Sequence, residues 1–278
     1  MKRLWSELLL AWVLLAPTSA AAEVLVLDAQ GDRALVGTPL PAPEAADPAF
    51  RMRVRLERGG QAVRTSLDAQ DWSFARLLPG DRFLGVTPDR RLVIGPLGKG
   101  KLRVVDTGVE GAVAASPDGR HLAYCKGLAP VLEVFRADDG RVTAVTSGFS
   151  PAWSPAISAD GQVVAFVSAR SGVPAIYRVQ GGAAPVQLTN VGLRPQPGVV
   201  PTLAPFPDGM TAPLVSASHL VFESGGAVHV LDAAGRPLRM LPGLGAPYWQ
   251  EPGRRAGAFR PGRTSPEVIE LPAAGRSP

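Results

Sequence analysis

The chain has 278 residues, of which 31 are Gly and 28 are Pro, with 46% hydrophobic and 19% charged. So much Gly and Pro excludes a helical bundle or coiled coil, because both residues break helix interiors, and the apolar content excludes a disordered chain. The net charge of +5 comes from scattered Arg without a Lys/Arg cluster, which argues against a nucleic-acid partner.

In chain order, the first element is a targeting segment. Lys2 and Arg3, the apolar run Leu8 to Leu15, the break at Pro17 and the small residues Ala20-Ala21-Ala22 follow the order of a secretory signal peptide over residues 1–22. The run falls short of the ~20 residues that span a bilayer, so it is no membrane anchor. The expectation is a soluble periplasmic protein, with an extracellular one as the alternative. Cys125 is the only cysteine, so no disulfide forms within the chain.

Residues 23–271 read as one all-β domain and 272–278 as a loose tail. Residues 24–67 hold two hairpin-like pairs, Val24–Val36 and Met52–Leu67, split by a loop from Pro39 to Pro48. Residues 72–107 hold the short apolar runs Phe83–Val86, Leu92–Ile94 and Leu102–Val105, with Gly98 to Lys101 as an exposed hairpin turn. From there the chain repeats itself. Residues 115–125 read ASPDGRHLAYC, 157–167 read ISADGQVVAFV, and 206–223 contain FPDG and then HLVFE. Each carries an Asp-Gly turn, tight or within a longer loop, ahead of an apolar strand; Gly accepts the positive φ of such turns and Asp bonds its own backbone there. The fullest unit has strands at Ala156–Ser158, Val163–Ser168, Ala175–Val179 and Val186–Thr189.

Asp118 and Asp160 lie 42 residues apart, and a repeat of ~40 residues with four short strands marks a β-propeller blade, as in WD-type repeats. A β-sandwich has similar strand content but no reason for that repeat. Counting outward predicts six four-stranded blades, at 24–67, 72–107, 112–147, 152–191, 198–242 and 245–271. The last is short of an outer strand, which a strand near Val24 is expected to supply.

SPDGRHLAYC, ADGQVVAFVSARSGVPAIYRVQGGAAPVQLTN and PDG followed by HLVFESGGAVHVLDAAGR resemble the propeller repeats of the bacterial periplasmic TolB family. The likeness covers residues 112–242 and concerns the propeller alone. It implies a binding or scaffold protein of the cell envelope that engages a protein or peptide, and not an enzyme.

Residues with chemistry are few. His121 and His219 share one repeat position, which argues for a structural role, and Cys125 has no partner for a zinc site. The nearest approach to a nucleophile elbow, Gly148 to Ala152, lacks its last glycine. No cofactor or metal is expected. The alternative is a small propeller enzyme or carbohydrate-binding module whose channel site draws polar groups from several blades. Trp153 and Trp249 are candidates for the rim of the channel mouth. Arg90, Arg91, Lys126, Arg170 and Arg263 fall in turns between second and third strands and would form a basic ring on one face, suited to an acidic partner. The opposite face mixes signs, with Asp81 beside Arg82, Asp118 beside Arg120, and Asp138-Asp139 before Arg141. A monomer is expected.

Overall fold

A computed structural model describes residues 25–30, 32–40, 51–127, 133–138, 140–146, 152–172, 174–189, 213–224, 226–260 and 266–272. The signal segment 1–22, the turn Asp208-Gly209, Arg263 and the tail beyond residue 272 lie outside them. The described residues form six antiparallel sheets. Blade one is β1 (Leu25–Gln30), β2 (Arg33–Pro39), β3 (Met52–Arg58) and β4 (Gln61–Val63). Blade two is β5 (Phe74–Leu78), β6 (Arg82–Val86), β7 (Arg91–Pro96) and β8 (Arg103–Thr107). Blade three is β9 (Val109–Ala115), β10 (His121–Lys126), β11 (Glu133–Asp138) and β12 (Arg141–Ala144). Blade four is β13 (Ala152–Ile157), β14 (Val163–Ser168), β15 (Ala175–Gln180) and β16 (Val186–Gln187). Blade five is β17 (Leu214–Val215), β18 (His219–Ser224), β19 (Ala227–Asp232) and β20 (Pro237–Pro242), and blade six is β21 (Gly245–Glu251), β22 (Arg255–Phe259) and β23 (Glu267–Glu270). The first strands of successive sheets neighbour one another from β1 to β21, so they line the axis of a six-bladed propeller.

The repeat motif earns its place by closing the turn between first and second strands. The Ser116 hydroxyl donates to Asp118 at 2.6 Å and accepts the His121 amide at 3.0 Å, while Asp118 accepts the Arg120 amide at 3.0 Å. Gly119 completes the turn at φ +67°. Ser158, Asp160 and Gly161 repeat this arrangement in blade four, where the Ser158 hydroxyl accepts the Val163 amide at 2.9 Å. In blade five, Ser216 plays the same part, accepting the His219 amide at 2.9 Å. The Asp208-Gly209 pair therefore precedes β17 and is not the turn ahead of β18, a correction to the repeat register.

Apolar runs are continuous in second strands such as β6, β10 and β14 because both of their faces are buried. Leu122 and Tyr124 pack toward blade two, whereas Ala123 and Cys125 pack toward blade four. Val164 and Phe166 face blade three; Val163, Ala165 and Val167 face blade five. A shared cluster of this kind fills each joint from blades one and two through blades five and six. Among the described residues none joins blade six to blade one.

The expected closure of the last blade by the N-terminal strand does not occur. β1 pairs with β2 in its own sheet, Val26 opposite Val36 and Gln30 opposite Arg33. The short turn between them makes that hairpin a local pairing, with little loop entropy to overcome. Among the described residues blade six has three strands.

Candidate functional site

The turns between first and second strands share one face, and there the channel opens into a cavity of about 260 Å³. Arg76 and Leu77 of β5, Pro117 of the β9–β10 turn, Ile157 of β13, and Trp249 and Gln250 of β21 line it. Four blades therefore meet around it. The Asp28 carboxylate of β1 accepts the Leu77 amide at 2.9 Å and stands 3.7 Å from the Arg76 guanidinium, so one channel-facing cation is oriented by the neighbouring blade. Trp249 is half-buried, its ring resting on the cluster between blades five and six. The mouth thus offers an indole surface, an amide, a guanidinium and proline edges. Sequence reasoning singled out Trp249 here and missed Arg76 and Gln250. Their only sequence signal is a place near the ends of innermost strands.

Side chains near the blade joints clasp this face together. Arg33 of blade one meets Asp81 of blade two at 2.6 Å. The Arg82 guanidinium reaches Gly119 of blade three, and the His121 ring lies over Gly161 of blade four. Arg178 of blade four donates to the carbonyls of Ala233 at 2.7 Å and Ala217 at 3.4 Å in blade five. His219 meets the Ser218 hydroxyl at 2.9 Å through Nδ1 and bonds the Gly253 backbone of blade six. Both repeated histidines are therefore placed at joints, and burial lowers the His219 pKa. Among the described residues, no three His, Cys, Asp or Glu side chains group as metal ligands would. Cys125 is buried, and desolvation, aided by nearby Glu110, pushes its thiol up to about 12.

On the opposite face the predicted basic residues are neutralised or covered. Arg90 pairs with Glu110 at 2.8 Å, Arg91 with Asp89 at 2.7 Å, and Lys126 with Asp106 at 2.7 Å. Asp106 also accepts the Tyr124 hydroxyl at 3.0 Å. Burial opposes its ionisation, yet the bonds from Lys126, the Thr107 amide and Tyr124 outweigh that and hold its carboxyl below the ordinary range. Arg170 lies over the rings of Phe166 and Tyr177, 5.1 Å and 4.9 Å from their centroids. These side chains do not compose an open ring of positive charge. Trp153 is also displaced from its expected role. A bulge between Trp153 and Ala156, with Ser154 at φ 49°, turns the indole into the packing between blades four and five and away from the cavity.

No family model and no curated protein sequence matches the chain. Solved structures do. A putative TolB from Agrobacterium tumefaciens is 18% identical, with 77% of this chain and 78% of that chain covered and a TM-score of 0.49. TolB from Acinetobacter baumannii is 20% identical over 82% of this chain and 61% of that chain, at a TM-score of 0.46. An oligogalacturonate lyase in complex with manganese is 14% identical over 82% of this chain and 68% of that chain, at 0.51. At such identities likeness speaks to fold alone. The chain is an all-β, six-bladed β-propeller.

Proposed function

We propose that this protein is an exported, non-catalytic binding module of the cell envelope that grips a protein or peptide segment at its channel mouth. The observation that carries the reading is the convergence of Trp249 and Gln250 of blade six and Arg76 of blade two on one cavity. An indole, an amide and an oriented guanidinium supply contact area and donors, the equipment for holding a chain segment. The TolB-like blade sequence supports the envelope, and the basic-apolar-small N-terminal pattern supports export. No helix among the described residues is long and apolar enough to cross a membrane.

A photoreactive amino acid at Gln250, which is exposed, tests this in living cells. The expected result is a crosslinked envelope protein from position 250 and none from Val186, which is 60% exposed on an outer strand. No adduct at 250, or equal adducts at both, sinks the reading. Trp249 also favours the second reading, a carbohydrate module, because an indole face stacks on a sugar ring. Titration with envelope polysaccharides, binding wild type and not W249A, would favour that one instead.

A further inference from the structure

A second cavity, of about 370 Å³, opens between blades two and three on the same face as the channel mouth. Arg82 of β6, Arg103 of β8 and Arg120 of the β9–β10 turn stand around it, over a floor of Ile94, Val105 and Leu122. Among the described residues no carboxylate lines it. Two of the acidic residues that sequence places beside these arginines, Asp81 and Asp118, have other partners. Asp81 takes Arg33 from blade one at 2.6 Å. Asp118 is held in its own turn by the Ser116 hydroxyl at 2.6 Å and the Arg120 amide at 3.0 Å, and it pairs only loosely with the Arg120 guanidinium, at 3.9 Å. Arg82 gives its Nε–H to the Pro79 carbonyl at 3.0 Å, which fixes the group without neutralising it. The described lining of this cleft thus carries three guanidiniums, one of them loosely paired.

We propose that this cleft docks an acidic peptide segment with an aliphatic side chain between its carboxylates. Planar guanidinium forks match carboxylates with two parallel bonds. The floor is aliphatic and the lining holds no aromatic ring, so a sugar or a nucleobase finds nothing to stack on, whereas a leucine-sized side chain finds apolar surface. Three like charges around one cavity repel, and a bound anion relieves that repulsion. The inference takes only the class of partner from the binding-module reading, and its surface is separate from Trp249 and Gln250.

The test is fluorescence anisotropy with labelled acetyl-Asp-Glu-Leu-Glu-Asp-amide and the full mature protein. R103E/R120E, at two exposed positions, should weaken binding roughly tenfold or more. R64E/R239E, an equal change of charge at exposed positions in blades one and five, should leave it within about twofold. R120Q alone should give an intermediate loss, keeping the test informative if the double reversal unfolds. Binding should fall with added salt, and replacing the central Leu of the peptide by Ser should weaken it. No binding by wild type, equal loss in the control pair, equal affinity for the Asn/Gln version of the peptide, or full displacement by equimolar inorganic phosphate would each overturn the proposal. Crosslinking at Gln250 reports on the channel mouth and this titration on the cleft, so either idea can fail without the other.

Discussion

Replacing Trp72 with Ala should loosen blade one ahead of the rest of the ring. The side chain is fully buried between blades one and two. Its Nε1–H donates to the Leu67 carbonyl at 2.9 Å, and its ring meets Phe83 edge-on at 5.3 Å. It lies so close over Gly85 that a Cβ there would be 2.5 Å from the indole. Truncating a buried Trp costs ~3–5 kcal/mol, in which the aromatic pair and the stranded carbonyl are included. The loss falls on the apolar cluster that joins blades one and two. At ~1.4 kcal/mol per factor of ten, ~3 kcal/mol multiplies the opening equilibrium roughly a hundredfold. Hydrogen exchange read by mass spectrometry should show that acceleration in β2 and β3, with less than about tenfold in β14. Equal acceleration in every blade would refute the local character of that loss. Less than tenfold in β2 would refute the packing argument itself.

Cys125 should resist thiol reagents in the native protein at pH 8 and react at once in urea, because burial holds its pKa near about 12; rapid native labelling would contradict the burial. His219 titrates below its ordinary value because burial disfavours the cation, so its contribution is full above the unfolded pKa of ~6.5 and is lost as pH falls through the lower folded one. H219Q should therefore lose less thermal stability than wild type between pH 7 and pH 5, and an identical acid limb would count against this. G161A should cost more than G172A: both have positive φ, at +70° and +91°, but only at 161 would the new Cβ meet the His121 ring, 2.4 Å from Nδ1. Equal losses in urea midpoint would mean that the His121 contact carries no weight.

The blades were legible because their physics is local. A Ser-x-Asp-Gly turn bonds within itself, and a strand buried on both faces writes an unbroken apolar run, as at Leu122 to Cys125 and Val163 to Val167. Blade five was misregistered where that signature is silent: a serine turn, Ser216 to Ser218, does the work that Asp-Gly does elsewhere. The site was less legible because its contacts cross blades. Whether Arg82 is free depends on Arg33, 49 positions earlier, having taken Asp81. Likewise Trp153 and Trp249 look alike in sequence and both pack on joint clusters, yet only the second also lines the cavity.

The same reasoning reverses an expectation about the opposite face. If Arg90, Lys126 and Arg170 were independent solvated side chains, reversing all three to Glu would leave stability nearly unchanged. In the structure two of them tie blades two and three, Arg90 to Glu110 of β9 and Lys126 to Asp106 of β8, at 2.8 Å and 2.7 Å. Each pair is partly exposed and worth ~0.2–1 kcal/mol, and reversal replaces attraction with repulsion of similar size. Arg170 adds a cation over two aromatic faces, worth ~0.5–2 kcal/mol, and a carboxylate there would meet the negative face of both rings. The triple reversal should therefore cost ~2–4 kcal/mol in urea unfolding, and the R90E/E110R exchange should recover part of the first pair. An unfolding free energy within ~0.5 kcal/mol of wild type for the triple variant would return these residues to the status of free surface charge.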